Sequence, residues 1–144
     1  MQFRGDSLGT VFKGVKTVTT FKELRHFTQI TKLAYQQFQG STFVEFVIPP
    51  AITSIEAQSL YGNRLDSIVI PATVTNLAQN CFGMNQSIRF ATFLAVTPPT
   101  FGLSVFAYAP NNFVIYVPAE SVDAYKSASN FTAYASRIYP IPAS

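Results

Sequence analysis

Three blocks of this chain repeat at a fixed interval, and that interval limits the folds open to it more than any other feature. Ile30-Thr31-Lys32-Leu33 returns as Ile52-Thr53-Ser54-Ile55 and again as Val74-Thr75-Asn76-Leu77. Phe38 returns as Leu60 and Phe82, and Ile48-Pro49 returns as Ile70-Pro71, so each spacing is 22 residues by subtraction. A constant period of this length marks a solenoid, in which each unit is too small to bury its apolar face without the next one.

The middle unit, residues 52 to 73, shows how one coil is expected to run. Ile52 and Ile55 lie three apart and Leu60 follows five later, which predicts a short, irregular helical turn facing inward. Tyr61-Gly62-Asn63 then reverses the chain, because Gly and Asn tolerate the left-handed conformation. Leu65 to Ile70 reads as a strand with Ile68 and Ile70 on one face and Ser67 and Val69 on the other. Pro71 stops it, having no amide proton for a ladder. By the same count Phe46 and Ile48 point inward in the first unit and Phe90 and Thr92 in the third, so that Phe46, Ile68 and Phe90 form one internal stack.

Composition agrees with a packed, β-rich body: of 144 residues, 48% are apolar and only 12% charged, which argues against disorder. The length suits one domain. The net charge of +3 is scattered without runs, so nucleic acid is not an expected partner. Cys81 stands alone and can form no intrachain disulfide. No stretch approaches the roughly 18 to 20 apolar residues of a membrane span, and the first residues lack a basic region followed by an apolar one, so neither membrane insertion in this chain nor a secretion signal is expected.

The pattern Ile-Thr-x-Ile, an aliphatic or aromatic pair, a Gly/Asn turn and Leu-x-x-Ile-x-Ile-Pro resembles the BspA-like leucine-rich repeat family over about residues 28 to 99. Gln37-Phe38, Ser59-Leu60 and Cys81-Phe82 hold the slots where that family commonly has Ala-Phe. Asn63 and Asn85 lie near its turn Cys, and Phe43 and Leu65 hold its Leu; Ile88 falls one residue late, marking the third unit as a drift toward the end of the array. The segments Val96 to Phe101, Val105-Phe106, Ile115 to Lys126 and Tyr134 to Ile141 are similar to the C-terminal closing segment of many members. The resemblance implies an α/β leucine-rich-repeat solenoid, β-rich and built of 22-residue repeats, with a C-terminal helical cap. Its expected divisions are a lead-in over 1–19, then repeats over about 30–51, 52–73 and 74–99 and a cap over about 100–144.

The residues themselves also read as capped at both ends. Val117-Pro118 imitates Ile70-Pro71 and is expected to end the last strand, while Val122 with Tyr125, and Phe131 with Tyr134, Ala135 and Ile138, have helical spacing. Thr20-Phe21-Lys22-Glu23 fits a capping box opening a short helix through about Phe27. Residues 1 to 16 suit a leading strand or hairpin.

Chemistry finds little footing. His26 is the single histidine, and a catalytic dyad would have to join it to Cys81 or a serine, yet Cys81 occupies an inward slot two repeats away. A zinc site lacks the usual four clustered donors, no cofactor motif is present, and the chain is not expected to be an enzyme. Arg4-Gly5-Asp6 spells the tripeptide of integrin ligands, but three letters match by chance easily.

The outward strand positions are the better candidates, because a solenoid aligns them. Glu45, Ser67 and Arg89 are expected in one column, Val47, Val69 and Ala91 beside it, with Val114 and Tyr116 continuing them on the last strand. Tyr35, Tyr61, Tyr108 and Tyr116 could stack on a sugar, though nothing in their spacing singles out a site. The resemblance implies a noncatalytic adhesion or binding module of a bacterial surface or secreted protein, with a protein or glycan ligand. A phage virion protein carrying such repeats and a targeting appendage of a larger secreted enzyme are the other readings.

Overall fold

The computed structural model describes residues 20–21 and 30–143. The described chain winds as a stacked series of coils whose longer runs of strands form two parallel ladders about a common core, a solenoid-like fold. One ladder is built from two-residue strands: β2 (Lys32–Leu33), β4 (Ser54–Ile55), β6 (Asn76–Leu77) and β8 (Thr100–Phe101), in that order. Lys32 lies opposite Ser54, Ser54 opposite Asn76 and Asn76 opposite Thr100, which aligns Leu33, Ile55, Leu77 and Phe101 inward.

The other ladder holds β5 (Ser67–Ile70), β7 (Phe90–Phe93), β9 (Val114–Val117) and β10 (Ile138–Pro140). β1 (Thr20–Phe21) pairs with β3 (Glu45–Phe46), and β3 is tied to the β5 coil by the Asp66 amide on the Val44 carbonyl at 3.2 Å and the Arg64 amide on the Phe43 carbonyl at 2.9 Å. Thr20-Phe21 is therefore strand where a helix start is expected from its capping-box pattern. The remainder of that helix, through Phe27, lies outside the described residues, as do Arg4-Gly5-Asp6, His26 and the lead-in.

Within the stretch from Ile52 to Ile55, Ser54–Ile55 is strand and no residue is in a helical turn. Its amides find carbonyls one coil back, Thr53 on Thr31 at 2.8 Å and Glu56 on Leu33 at 2.8 Å, so the neighbour supplies the bonds that a helix would have closed on itself. β-branched Ile and Thr also favour the extended form. Inward side chains three apart are produced equally by a helix and by a bend followed by a short strand, and here Ile52 closes a turn on the Pro49 carbonyl.

Between the two ladders runs an arc of tight turns. Gln36, Gln58, Asn80 and Ser104 have φ of 56 to 58°, and four residues later Gly40, Gly62, Met84 and Tyr108 are again left-handed. Alternate amides of the arc donate to the following coil: Gln58 to Gln79, Leu60 to Cys81 and Gly62 to Gly83, at 2.9 to 3.2 Å. Those between close local turns, Ser59 on Glu56 and Tyr61 on Gln58. Every second backbone donor is thus satisfied by stacking, which makes the arc dependent on having a neighbour.

The turn after the arc is sealed by buried asparagines. Asn63 Oδ1 accepts the Phe43 amide at 2.9 Å while its Nδ2 donates to the Phe38 and Leu60 carbonyls at 2.9 and 3.0 Å. Asn85 repeats this one coil on, bonding the Leu65 amide and the Leu60 and Phe82 carbonyls. The left-handed residue is Gly62, so Asn63 serves as a hydrogen-bonding wedge between coils and not as a reversing residue.

The third coil departs from the count of 22. Asn63 and Asn85 keep it, but Leu65 corresponds to Ile88, so one residue is added at Gln86-Ser87 and Ser67 faces Phe90, Ile68 faces Ala91, Val69 faces Thr92 and Ile70 faces Phe93. A slip of one residue reverses every side chain of a strand. The inner stack is Phe46, Ile68, Ala91, Ile115 and Ile138, with Ile48, Ile70, Phe93 and Val117 beside it. Phe90 and Thr92, placed inside by the count, face out.

At the C-terminal end β9 stops at Val117 before Pro118, but it is not the last strand: Ile138, expected on a helix, opens β10 and pairs with Ile115. Between them lie a 3-10 turn at Ala119–Ser121, α1 (Val122–Ser127) and a 3-10 segment at Phe131–Arg137. Phe131 stacks on Phe101 at 3.9 Å and meets Phe93 at 5.4 Å and Tyr125 at 5.1 Å, and Tyr134 stands edge-on to Phe106 and Phe113. Offset and edge-to-face rings of this kind add about 0.5 to 1.5 kcal/mol per pair beyond burial.

Candidate binding face

The exteriors of the two ladders differ in chemistry. Outside β2, β4, β6 and β8 stand Lys32, Ser54, Asn76 and Thr100, flanked by Thr31, Thr53 and Thr75. These polar side chains are bonded from coil to coil: Asn76 Nδ2 to Ser54 Oγ at 3.3 Å, Thr53 Oγ1 to the Thr31 carbonyl at 3.2 Å and Thr75 Oγ1 to the Thr53 carbonyl at 3.3 Å. Neighbouring coils thus supply hydrogen-bond partners along that side.

Outside the longer strands the surface is apolar. One column runs Ser67, Phe90, Val114 and a second Val69, Thr92, Tyr116, Tyr139. Val69 is 50% exposed, Tyr139 48% and Leu94, just past β7, 46%. The Phe90 ring is held edge-on to Tyr116 at 5.8 Å, and the Arg89 guanidinium lies 5.8 Å from its centre. Neighbouring strands about 4.8 Å apart make this a continuous platform rather than scattered single residues. A depression of about 220 Å³ opens where Val47, Ser67, Val69 and Pro71 meet.

Of the residues singled out by spacing, Val47, Ser67, Val69, Val114 and Tyr116 lie on this platform, with Glu45 exposed at its β3 end. Two are displaced by the added residue at Gln86-Ser87. Ala91 is fully buried beneath the sheet, so it offers nothing to a ligand, and Arg89 precedes β7, its expected place beside Ser67 being taken by Phe90. Phe90, Thr92 and Tyr139 are the platform residues that counting by 22 misses. The late position of Ile88 carried the signal: counted three and five residues on, as Ile68 and Ile70 lie from Leu65, the inward positions become Ala91 and Phe93 and Phe90 falls outside.

Cys81 is fully buried and its thiol is pushed far up by desolvation, which leaves almost no thiolate near neutral pH. Among the described residues no three His, Cys, Asp or Glu side chains come together as metal ligands, and no helix is long and apolar enough to cross a membrane. Burial also raises the Tyr125 and Tyr134 hydroxyls; Tyr125 donates to the Ala95 carbonyl at 2.7 Å and Ser121 to that of Val96 at 2.6 Å, pinning the loop after β7.

Of the tyrosines weighed for sugar stacking, Tyr116 lies on the platform, Tyr35 and Tyr108 are exposed at 57% and 70%, and Tyr61 lies half-buried on the arc. Residues 10–128 match the family described as BspA type leucine-rich repeat region, in six copies. No curated protein matches the chain.

Proposed function

Because the chain belongs to the BspA type leucine-rich repeat family, we propose that it is a noncatalytic binding module that receives a partner protein on the outer face of β3, β5, β7 and β9. The observation that carries this reading is the contrast between the two exteriors: one is polar and internally hydrogen-bonded, the other apolar and open, with Val69 half exposed and an aromatic pair at Phe90 and Tyr116. Exposed contiguous apolar surface of this kind costs solubility and marks interaction sites. A repeat sheet also supplies length, so that an extended apolar segment can cross several strands.

In this reading the first two coils are 22-residue units, the third is a longer variant of them, and residues 119–137 serve as the closing cap that shields the last core face. Display at a bacterial surface or by secretion is the setting that the family match favours. A virion or an enzyme appendage would use the same face on another carrier. The test is an array of immobilised peptides and glycans probed with the wild-type chain and with a Ser67→Arg/Val69→Glu variant, both sites lying outside the core. Peptide binding by the wild type with loss in the variant supports the face. Binding that the variant retains removes it.

A further inference from the structure

A second recess lies on another side of the molecule, where the arc meets the start of the strands. We infer that it is a site for a saccharide residue bearing a carboxylate. The recess measures about 400 Å³ and is lined by residues of three successive coils, among them Thr42, Tyr61, Arg64, Gln86 and Ser87. That volume lies within the range of small-molecule sites.

Its floor is glycine backbone. Gly40 would have nothing within 4 Å of an added Cβ, and Gly62 only ordinary contacts at 3.7 and 3.8 Å, so open space stands directly over the main chain. The amides there are already spent, Gly40 on the Tyr61 carbonyl at 2.8 Å and Gly62 on the Gly83 carbonyl at 2.9 Å, and Asn63 is consumed by its three backbone bonds. Recognition therefore falls to side chains. Among the described residues no hydrogen bond or ion pair occupies the Arg64 guanidinium, the Tyr61 hydroxyl, Gln86 or Ser87.

Each of these fits one part of a uronic acid. The Tyr61 ring is fixed against Gly83, whose added Cβ would come within 3.0 Å of the ring, and a held aromatic ring beside polar groups suits the apolar CH face of a pyranose. Gln86 and Ser87, both exposed, present an amide and a hydroxyl to ring hydroxyls. Arg64 is the one cation of the lining and no acid shares it, which matches a single carboxylate held by a planar fork. A phosphate would call for more donors than one guanidinium and spent amides provide.

The experiment is amide NMR on the whole chain, titrated separately with methyl β-D-glucuronide, methyl β-D-glucoside and acetate. The glucuronide is expected to shift the Gly62, Arg64, Gln86 and Ser87 amides with about tenfold higher affinity than either other probe, one charge-assisted contact corresponding to roughly that factor. Arg64→Gln, at an exposed position, reduces the glucuronide to the level of the glucoside, whereas Lys126→Gln in α1 leaves it unchanged. Equal response to glucuronide and acetate would reduce the site to a simple anion contact and overturn the proposal. Equal response to the two glycosides, shifts elsewhere, or none at these amides would overturn it as well. None of these outcomes bears on the apolar platform, which shares no residue with the recess.

Discussion

Truncating two phenylalanines three residues apart on one strand separates the observed register from the one that counting by 22 predicts. Phe93 is fully buried and its ring meets those of Phe101, Tyr125 and Phe131 at 6.2, 5.7 and 5.4 Å. A buried aromatic side chain removes about 150 to 250 Å² from water, which at about 25 cal/mol per Å² is about 4 to 6 kcal/mol as an upper bound. Measured Phe→Ala losses of about 3 to 5 kcal/mol, cavity included, agree with it. Phe90 stands on the outer face, touching Tyr116 and Arg89. Its removal leaves no cavity, because water fills the space, so Phe90→Ala is expected to cost about 1 to 2 kcal/mol. Urea unfolding followed by circular dichroism reads the difference, with Phe93→Ala lowering the midpoint about 1.5 to 5 times as far as Phe90→Ala at similar slope. Equal losses, or a larger loss at Phe90, would refute the assignment of Phe90 to the exterior and of the added residue to Gln86-Ser87.

Other perturbations test other parts of the fold. Gly102→Ala places a Cβ 2.8 Å from the Gln79 nitrogen and 3.0 Å from the Ala78 carbonyl carbon, so two coils must part; thermal denaturation should show a loss of about 1 to 3 kcal/mol. Gly40→Ala meets no atom and pays only for its φ of +68°, about 1 to 2 kcal/mol. Asn63→Ala removes the side-chain bonds to the Phe43 amide and to the Phe38 and Leu60 carbonyls, of which Leu60 keeps the Asn85 amide, and a loss of about 1 to 3 kcal/mol is expected in chemical denaturation. Burial raises Cys81, Tyr125 and Tyr134 above their unfolded values, so the folded state holds protons that the unfolded chain releases. Stability is therefore full below about pH 8.5, declines as the unfolded thiol ionises and falls further above about pH 10 with the tyrosines; Cys81→Ala should abolish the first part of that decline in denaturant midpoints measured against pH.

Much of the architecture is legible in the sequence because stacking repeats the same demand in every coil. Ile68 and Ile70 lie inside and Val69 outside, as alternation before Pro71 requires, and Leu33, Ile55 and Leu77 align as their spacing predicts. What the residues express ambiguously is how a coil makes its backbone bonds. Ile52 and Ile55 suit a helical turn equally well until the Thr31 and Leu33 carbonyls of the preceding coil are in place, and Thr20-Phe21 reads as a helix start until β3 lies beside it.

By itself, then, the sequence determined that the chain stacks similar units, which side chains of the first two coils face inward, and where Gly62 must reverse the path, since these follow from local alternation and from the left-handed tolerance of glycine. Only the tertiary structure decided which face each residue of β7 presents. One residue gained in the Gln86-Ser87 turn is a small change along the chain, but the parallel pairing with β5 converts it into an exchange of sides, burying Ala91 and bringing Phe90 out against Tyr116. The apolar platform owes its aromatic pair to that pairing, because a strand's sides acquire an inside and an outside only when a neighbour fixes its register.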